Sequence, residues 1–160
     1  MLRTMISSAI GPLYITAADG FIVRLQFTED HDAKTASTPE ANNDKNQAVM
    51  DQCIHELDLY FKGLLQTFTV SIKPQTTPFR LKVYDALLSI PYGKTISYKT
   101  LAACVGNPKA SRAVGGANNK NPIAIIIPCH RVIGTDGSLT GYAGGLPAKQ
   151  CLIDLEKQKL

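Results

Sequence analysis

The sequence contains no tryptophan, only three histidines, and 7% aromatic residues in 160. No apolar run approaches the ~20 residues that span a bilayer, which argues against an integral membrane helix. The N-terminal stretch MLRTMISSAIGPLY has one arginine and no apolar core of signal-peptide length, so a cytoplasmic protein is expected, or a nuclear one in a nucleated cell. The four cysteines, Cys53, Cys104, Cys129 and Cys151, form no CxxC pair. That spacing argues against a zinc ribbon or a thioredoxin-type motif, and no disulfide framework is expected in a chain of this kind.

Acidic residues are scarce in one half of the chain. Residues 1–78 carry six Lys and Arg against nine Asp and Glu, a net −3, whereas residues 79–160 carry eleven against four, a net +7. A basic half of this size suits a polyanion, although a solvated lysine-rich surface has the same composition. The remaining composition, 44% hydrophobic and 19% charged, is that of a globular chain long enough to bury a core without staples.

Local patterns divide the chain near the KPQTTP stretch at 73–78. Before it, Leu13–Thr16 and Phe21–Phe27 read as strands around the hairpin signal Asp19-Gly20. Residues 30–47 have almost no apolar side chains and read as an exposed loop. Met50, Cys53, Ile54, Leu57, Phe61 and Leu64 repeat at three and four, which predicts an amphipathic helix over about 47–63. Phe68, Val70 and Ile72 alternate and suggest a third strand.

After the break, Val83, Tyr84, Leu87 and Leu88 predict a helix over about 79–90. Ser97 is a candidate N-cap for a short helix closed by Gly106, and Ser111 opens another to about Asn118. Two short helices joined by a glycine-containing turn match a helix-turn-helix. Ile123–Ile127, between two prolines, suits a buried extended segment, and a helix is expected from about Pro147 to Lys157. The fold class is therefore α+β: an N-terminal α/β domain over 1–77, with a short antiparallel sheet plus helix, and a mainly helical C-terminal domain over 78–160.

Cys129 is the one cysteine in an unusual setting, after a buried run and before His130 and Arg131. A thiolate is the nucleophilic form of cysteine, and a neighbouring histidine oriented by a carboxylate can generate it. Asp85, Asp136, Asp154 and Glu156 are the carboxylates within reach of this reading. A packed core thiol is the plain alternative.

The stretch NPIAIIIPCHRVIG, with SYKTLA and NPKASRAVGGANNKNP before it and GYAGGLPAK after it, resembles the O6-alkylguanine-DNA alkyltransferases, over about residues 79–156. The resemblance implies a DNA-repair protein that moves the alkyl group of O6-alkylguanine, and more weakly of O4-alkylthymine, irreversibly to its own cysteine. Cys129 would be the acceptor, and His130, through a water, with Glu156 would draw off the thiol proton. Tyr98 would donate a hydrogen bond to the flipped base. Arg112 would enter the base stack, flanked by the small DNA-facing residues Ser111, Ala113 and Gly115. Asn121 would sit in the hinge between recognition helix and active-site strand. Val132, Tyr142, Ala143 and Gly144 would line the base pocket, Ala143 through its backbone N–H.

The chemistry agrees with these residue types. A saturated carbon on oxygen calls for a soft nucleophile and a stabilised leaving group, and the thioether product offers water no acyl carbon to attack. One molecule then repairs one base without metal or organic cofactor. The base lies inside the duplex and must be flipped out. The resemblance implies double-stranded DNA bound through the minor groove without sequence specificity, and Lys94, Lys99, Lys109 and Lys120 would add phosphate attraction. A monomer is expected. Ala143 and Cys151 depart from residues common in the family; Cys151 is read as a packing adjustment behind the pocket. The N-terminal half lacks the Cys/His set that binds zinc in some members, so no structural zinc is expected there, and that half would support the other. Two other readings share part of the pattern: a lesion-binding relative that carries out no transfer, and a Cys–His hydrolase.

Overall fold

The computed structural model describes residues 1–29 and 43–158. It divides into two compact units, Met1–Gln75 and Thr76–Leu160, each taken by itself below.

In the first unit, Asp19 and Gly20 have φ of +54° and +80°, the left-handed geometry that a two-residue hairpin turn needs. They join β2 (Gly11–Ala18) to β3 (Phe21–Gln26). A strand absent from the sequence reading, β1 (Leu2–Ser8), pairs antiparallel with β2, so the sheet order is β1-β2-β3. Its inward positions are Leu2, Thr4, Ile6 and Ser8, none fully buried, while Met5 faces out. Two of the four inward residues are polar, which erases the alternation that marks a strand. A register shift between Thr16 and Ala17 lets β2 bury Ile15, Thr16 and Ala17 in succession.

Helix α1 (Asn43–Phe61) buries Met50, Cys53, Leu57 and Tyr60. It starts four residues earlier than expected, so the expected loop is corrected for 43–47; residues 30–42 lie outside the described residues. The side chain of Asn46 accepts a 2.9 Å bond from the Gly20 N–H, which ties the helix start to the hairpin. Gly63, at φ +73°, closes the helix, and Leu64 beyond it is 72% exposed rather than part of the stripe.

The expected third strand over Phe68–Ile72 is also corrected: this stretch forms a single parallel bridge, Ile22 to Ile72. The cause is Glu56 of α1, whose Oε1 accepts the N–H groups of Thr69 (2.6 Å) and Val70 (3.2 Å). Amides bonded to a buried carboxylate cannot donate to a strand ladder.

In the second unit, α2 (Pro78–Leu88) starts on a Thr77 cap and a first-turn proline, and α3 (Tyr98–Cys104) on a Ser97 cap whose Oγ accepts the Thr100 N–H at 3.1 Å. Gly106 at φ +83° and the turn after it lead into α4 (Ser111–Asn119), which lacks a side-chain cap. Helices α2, α3 and α4 pack on one another through Val83, Leu87, Leu101, Ala102, Val114 and Ala117. β4 (Ile96–Ser97) pairs parallel with β5 (Val132–Ile133), and α5 spans Leu146–Gln158.

The run 123–127 is buried but not extended, which corrects the expected active-site strand. Ile125 has φ +72°, a conformation costing a side-chain-bearing residue roughly 1–2 kcal/mol. Tight turns follow one another: Ile126 N–H to Ala124 O, Ile127 N–H to Ile123 O and Cys129 N–H to Ile127 O. The amide of Asn121 takes the place of a strand partner, donating to Ile127 O (2.8 Å) and accepting from Ile123 N–H (3.0 Å). No helix among the described residues is long and apolar enough to cross a membrane.

Candidate active site

The turns at 123–128 deliver Cys129 to the first position of a one-turn 3₁₀ helix, Cys129–Arg131, whose three side chains are all buried. Asn118 of α4 donates to the Cys129 carbonyl at 3.3 Å, which links the second helix of the helix-turn-helix to the cysteine backbone.

His130 is fully buried, and its Nε2 lies 2.8 Å from Glu156 Oε1 on α5. Of the four carboxylates considered, Glu156 is the one the fold brings to His130; Asp85, Asp136 and Asp154 are exposed. Arg131 completes the arrangement. Its Nε donates to Glu156 Oε2 at 3.0 Å, its Nη2 to Oε1 at 2.8 Å, and its Nη1 to the Ile90 carbonyl at 2.7 Å. The guanidinium also lies 5.7 Å from the centre of the Tyr92 ring.

Burial by itself would push the Glu156 carboxyl up, but the bonds and charges of His130 and Arg131 outweigh it and hold it down at about 2. Burial pushes His130 the other way, below its ordinary 6.5, so the imidazole is neutral. A carboxylate accepts only, so Nε2 carries the proton and donates it to Glu156. Nδ1 is then the basic nitrogen, and it has no hydrogen-bond partner among the described residues.

Cys129 is 4% exposed, and burial lifts its thiol to about 11 from 9.0, against the smaller downward pull of the Asn121 side chain and the Lys149 charge. Proximity to His130 and Arg131 therefore does not ionise this thiol at rest, because the cost of an anion in an apolar setting is larger.

Tyr98 opens α3 and donates to the Thr140 carbonyl at 3.2 Å. The backbone of Gly115 on α4 lies against the same ring: a Cβ added there would sit 3.7 Å from it. Val132 is buried in β5. Tyr142, Ala143 and Gly144 form a turn closed by the Gly145 N–H on Tyr142 O. On α4, Arg112 and Ala113 are exposed, Ser111 and Gly115 are half-buried, and Gly116 faces open space, so from Ser111 to Gly116 the outer side of the helix is small except for one arginine. Lys94, Lys99, Lys109 and Lys120 are all exposed. Cys151 is exposed on α5, which corrects its reading as a packing residue behind the pocket.

Two residues of the cluster had no role in the sequence reading, Arg131 and Lys149. Lys149, Leu152, Ile153 and Glu156 share the buried face of α5. Their spacing of i, i+3, i+4 and i+7 placed two charged residues on an apolar stripe, and that was the available signal.

Comparison with known proteins agrees with this architecture. Two family models match: the DNA-binding domain of 6-O-methylguanine DNA methyltransferase over residues 78–158, and the ribonuclease-like domain of the same proteins over 1–74. The methylated-DNA–protein-cysteine methyltransferase of Methanosarcina barkeri is 44% identical, covering 100% of this chain and 99% of its own. That of Mycobacterium tuberculosis is 42% identical, covering 96% and 91%. Among solved structures, the M. tuberculosis O6-methylguanine methyltransferase superposes with a TM-score of 0.82 at 38% identity, covering 99% of this chain and 93% of that one. The M. tuberculosis OGT in complex with DNA gives 0.84 at 41%, covering 98% and 93%.

The fold is that of a DNA-acting transferase built on two domains. The chain belongs to the 6-O-methylguanine DNA methyltransferase family. It is a DNA-repair methyltransferase, and DNA is its partner.

Proposed function

We propose that this chain removes the alkyl group from O6-alkylguanine in duplex DNA, and more weakly from O4-alkylthymine, by transferring it to Cys129 Sγ, once per molecule. The observation that carries this reading is the fully buried His130, held by Glu156 with its basic Nδ1 unengaged, immediately beside a buried cysteine.

The thiol proton passes through a water to His130 Nδ1, and the imidazolium that forms is stabilised by Glu156. The thiolate attacks the alkyl carbon, the new S–C bond forms as the C–O6 bond breaks, and the electron pair leaves on the purine. Tyr98 exchanges its bond to Thr140 for one to the base and offsets that charge. Arg112 fills the gap left by the flipped nucleotide, and the small residues Ser111, Ala113 and Gly115 let α4 approach the minor groove. Val132, Tyr142, Ala143 and Gly144 wall the base, Asn121 secures the backbone leading to the thiol, and the four exposed lysines attract phosphates whatever the sequence. The N-terminal unit supports this machinery.

The test is incubation with duplex containing O6-methylguanine, followed by peptide mapping. One methyl group per molecule is expected, on the peptide holding Cys129. Cys129→Ser should bind the same DNA and transfer nothing. Methylation of another residue, or many turnovers per molecule, overturns the reading.

A further inference from the structure

Two buried acceptors flank Cys129 without a donor. Asn118 of α4 is 2% exposed, and its Nδ2 donates to the Cys129 carbonyl at 3.3 Å. A carbonyl oxygen only accepts, so the other end of that amide is Oδ1, an acceptor. His130, the residue after Cys129, engages Glu156 through its Nε2–H and keeps Nδ1 as an acceptor. Neither Oδ1 nor Nδ1 has a hydrogen-bond partner among the described residues, the Cys129 thiol included.

Buried polar atoms are almost always bonded, and those the chain does not satisfy are commonly met by an internal water. Two acceptors cannot bond each other, so both need a donor. Both also belong to residues tied to one peptide unit: Asn118 holds the carbonyl of Cys129, and His130 continues the chain from it. A water has two hydrogens for two acceptors and keeps lone pairs for a third group that donates. The buried Cys129 S–H is such a group.

Resting on the reading of Cys129 as the alkyl acceptor, we propose that Asn118 is a positioning residue of the transfer reaction: its Oδ1 and His130 Nδ1 hold between them the water that takes the Cys129 thiol proton. The water accepts the S–H hydrogen and passes one of its own to Nδ1, which leaves a thiolate, an imidazolium and a whole water. Its second hydrogen stays on Oδ1 throughout, so Asn118 keeps the water in place while the proton moves. Asn118 belongs to the helix that also carries Arg112, so one rigid element serves both the relay and the DNA-facing surface.

The unaltered protein decides first. A crystal structure that resolves ordered water should show one molecule within about 3.2 Å of both Asn118 Oδ1 and His130 Nδ1, with Cys129 Sγ beside it. No water on Oδ1, or one that bridges Sγ and Nδ1 without touching Asn118, overturns the proposal and leaves the acceptor reading standing.

Asn118→Leu, of similar size without the oxygen, tests the consequence. Benzyl transfer from free O6-benzylguanine should slow by at least about tenfold, part of what a well-placed base contributes. The variant also loses the bond to the Cys129 carbonyl, so the ¹⁵N resonance of His130 Nδ1 is read alongside; it should move towards that of an unbonded imidazole nitrogen. Slower transfer with an unmoved resonance is a packing effect and overturns the proposal. Should the variant fail to fold, the crystallographic result on the unaltered chain decides. A bridging water together with benzyl on a residue other than Cys129 overturns the acceptor reading and upholds Asn118 as the water's anchor.

Discussion

Arg131 and Glu156 form a two-pronged pair, Nε on Oε2 at 3.0 Å and Nη2 on Oε1 at 2.8 Å, with the carboxylate 2% exposed. The same Oε1 meets His130 Nε2. Arg131 therefore fixes both the charge and the orientation of the group that selects the histidine tautomer. Because Glu156 is held ionised, it orients His130 and, in the proposed transfer, would stabilise the imidazolium rather than take the thiol proton itself.

Removing that grip should be severe. Arg131→Met leaves a buried carboxylate facing a neutral imidazole, and breaking a buried pair from one side costs roughly 3–5 kcal/mol. A fall in the unfolding midpoint of more than about 10 °C is expected by calorimetry, with slower transfer at temperatures where the protein remains folded. Arg131→Lys, which keeps the charge but not the fork, should recover part of the stability and less of the rate.

Acid should destabilise the fold in two stages. His130 is depressed when folded, so the unfolded chain binds the extra proton first, and stability declines as pH falls below 6.5. Glu156 is depressed from 4.5 to about 2, so its contribution is complete above 4.5 and is lost between those values. Urea titrations at stepped pH should show both declines. Glu156→Gln should make the lower decline shallower, and a profile falling as steeply between 4.5 and 2 as in the unaltered protein would contradict the assignment.

Arg112 is exposed on α4, and the hydrogen bonds of the cluster around Cys129 are made by other residues. Arg112→Ala should therefore leave the reaction with free O6-benzylguanine within about twofold while slowing repair in duplex DNA by tenfold or more, on the order of the few kcal/mol that base extrusion costs. Equal losses on the two substrates would remove its role in flipping.

Gly141 has φ +50°, and a Cβ there would lie 2.8 Å from Asn119 Oδ1. Gly141→Ala should push the exposed Asn119 side chain aside and strain the left-handed backbone that leads into Tyr142 and Ala143. Base-pocket affinity should fall, read as a higher O6-benzylguanine concentration for half-maximal rate, at a stability cost of about 1–2 kcal/mol. Gly116→Ala, inside α4 where the Cβ meets open space, is the control: it should leave the O6-benzylguanine dependence unchanged and raise stability by about 0.5–1 kcal/mol.

Short-range signals carried much of this protein. The Asp19-Gly20 turn, the stripe through Met50, Cys53 and Leu57, the Ser97 cap and the Gly106 stop each lie within a few residues of the structure they specify, and the ordered motifs around Cys129 pointed to its family. Partners distant along the chain were set by the tertiary structure alone. Arg131 reaches Ile90 across 41 positions and Glu156 across 25. Glu56 takes the amides of Thr69 and Val70 from a strand that local alternation favoured. Ile125 turns left-handed because Asn121 supplies the bonds a neighbouring strand would have given. Lys149 stands on the apolar stripe of α5 in the sequence, but only folding seals it in. Periodicity and capping act over one or two turns of chain, whereas desolvation and charge pairing depend on which surfaces close together, and these set the protonation states of Cys129, His130 and Glu156.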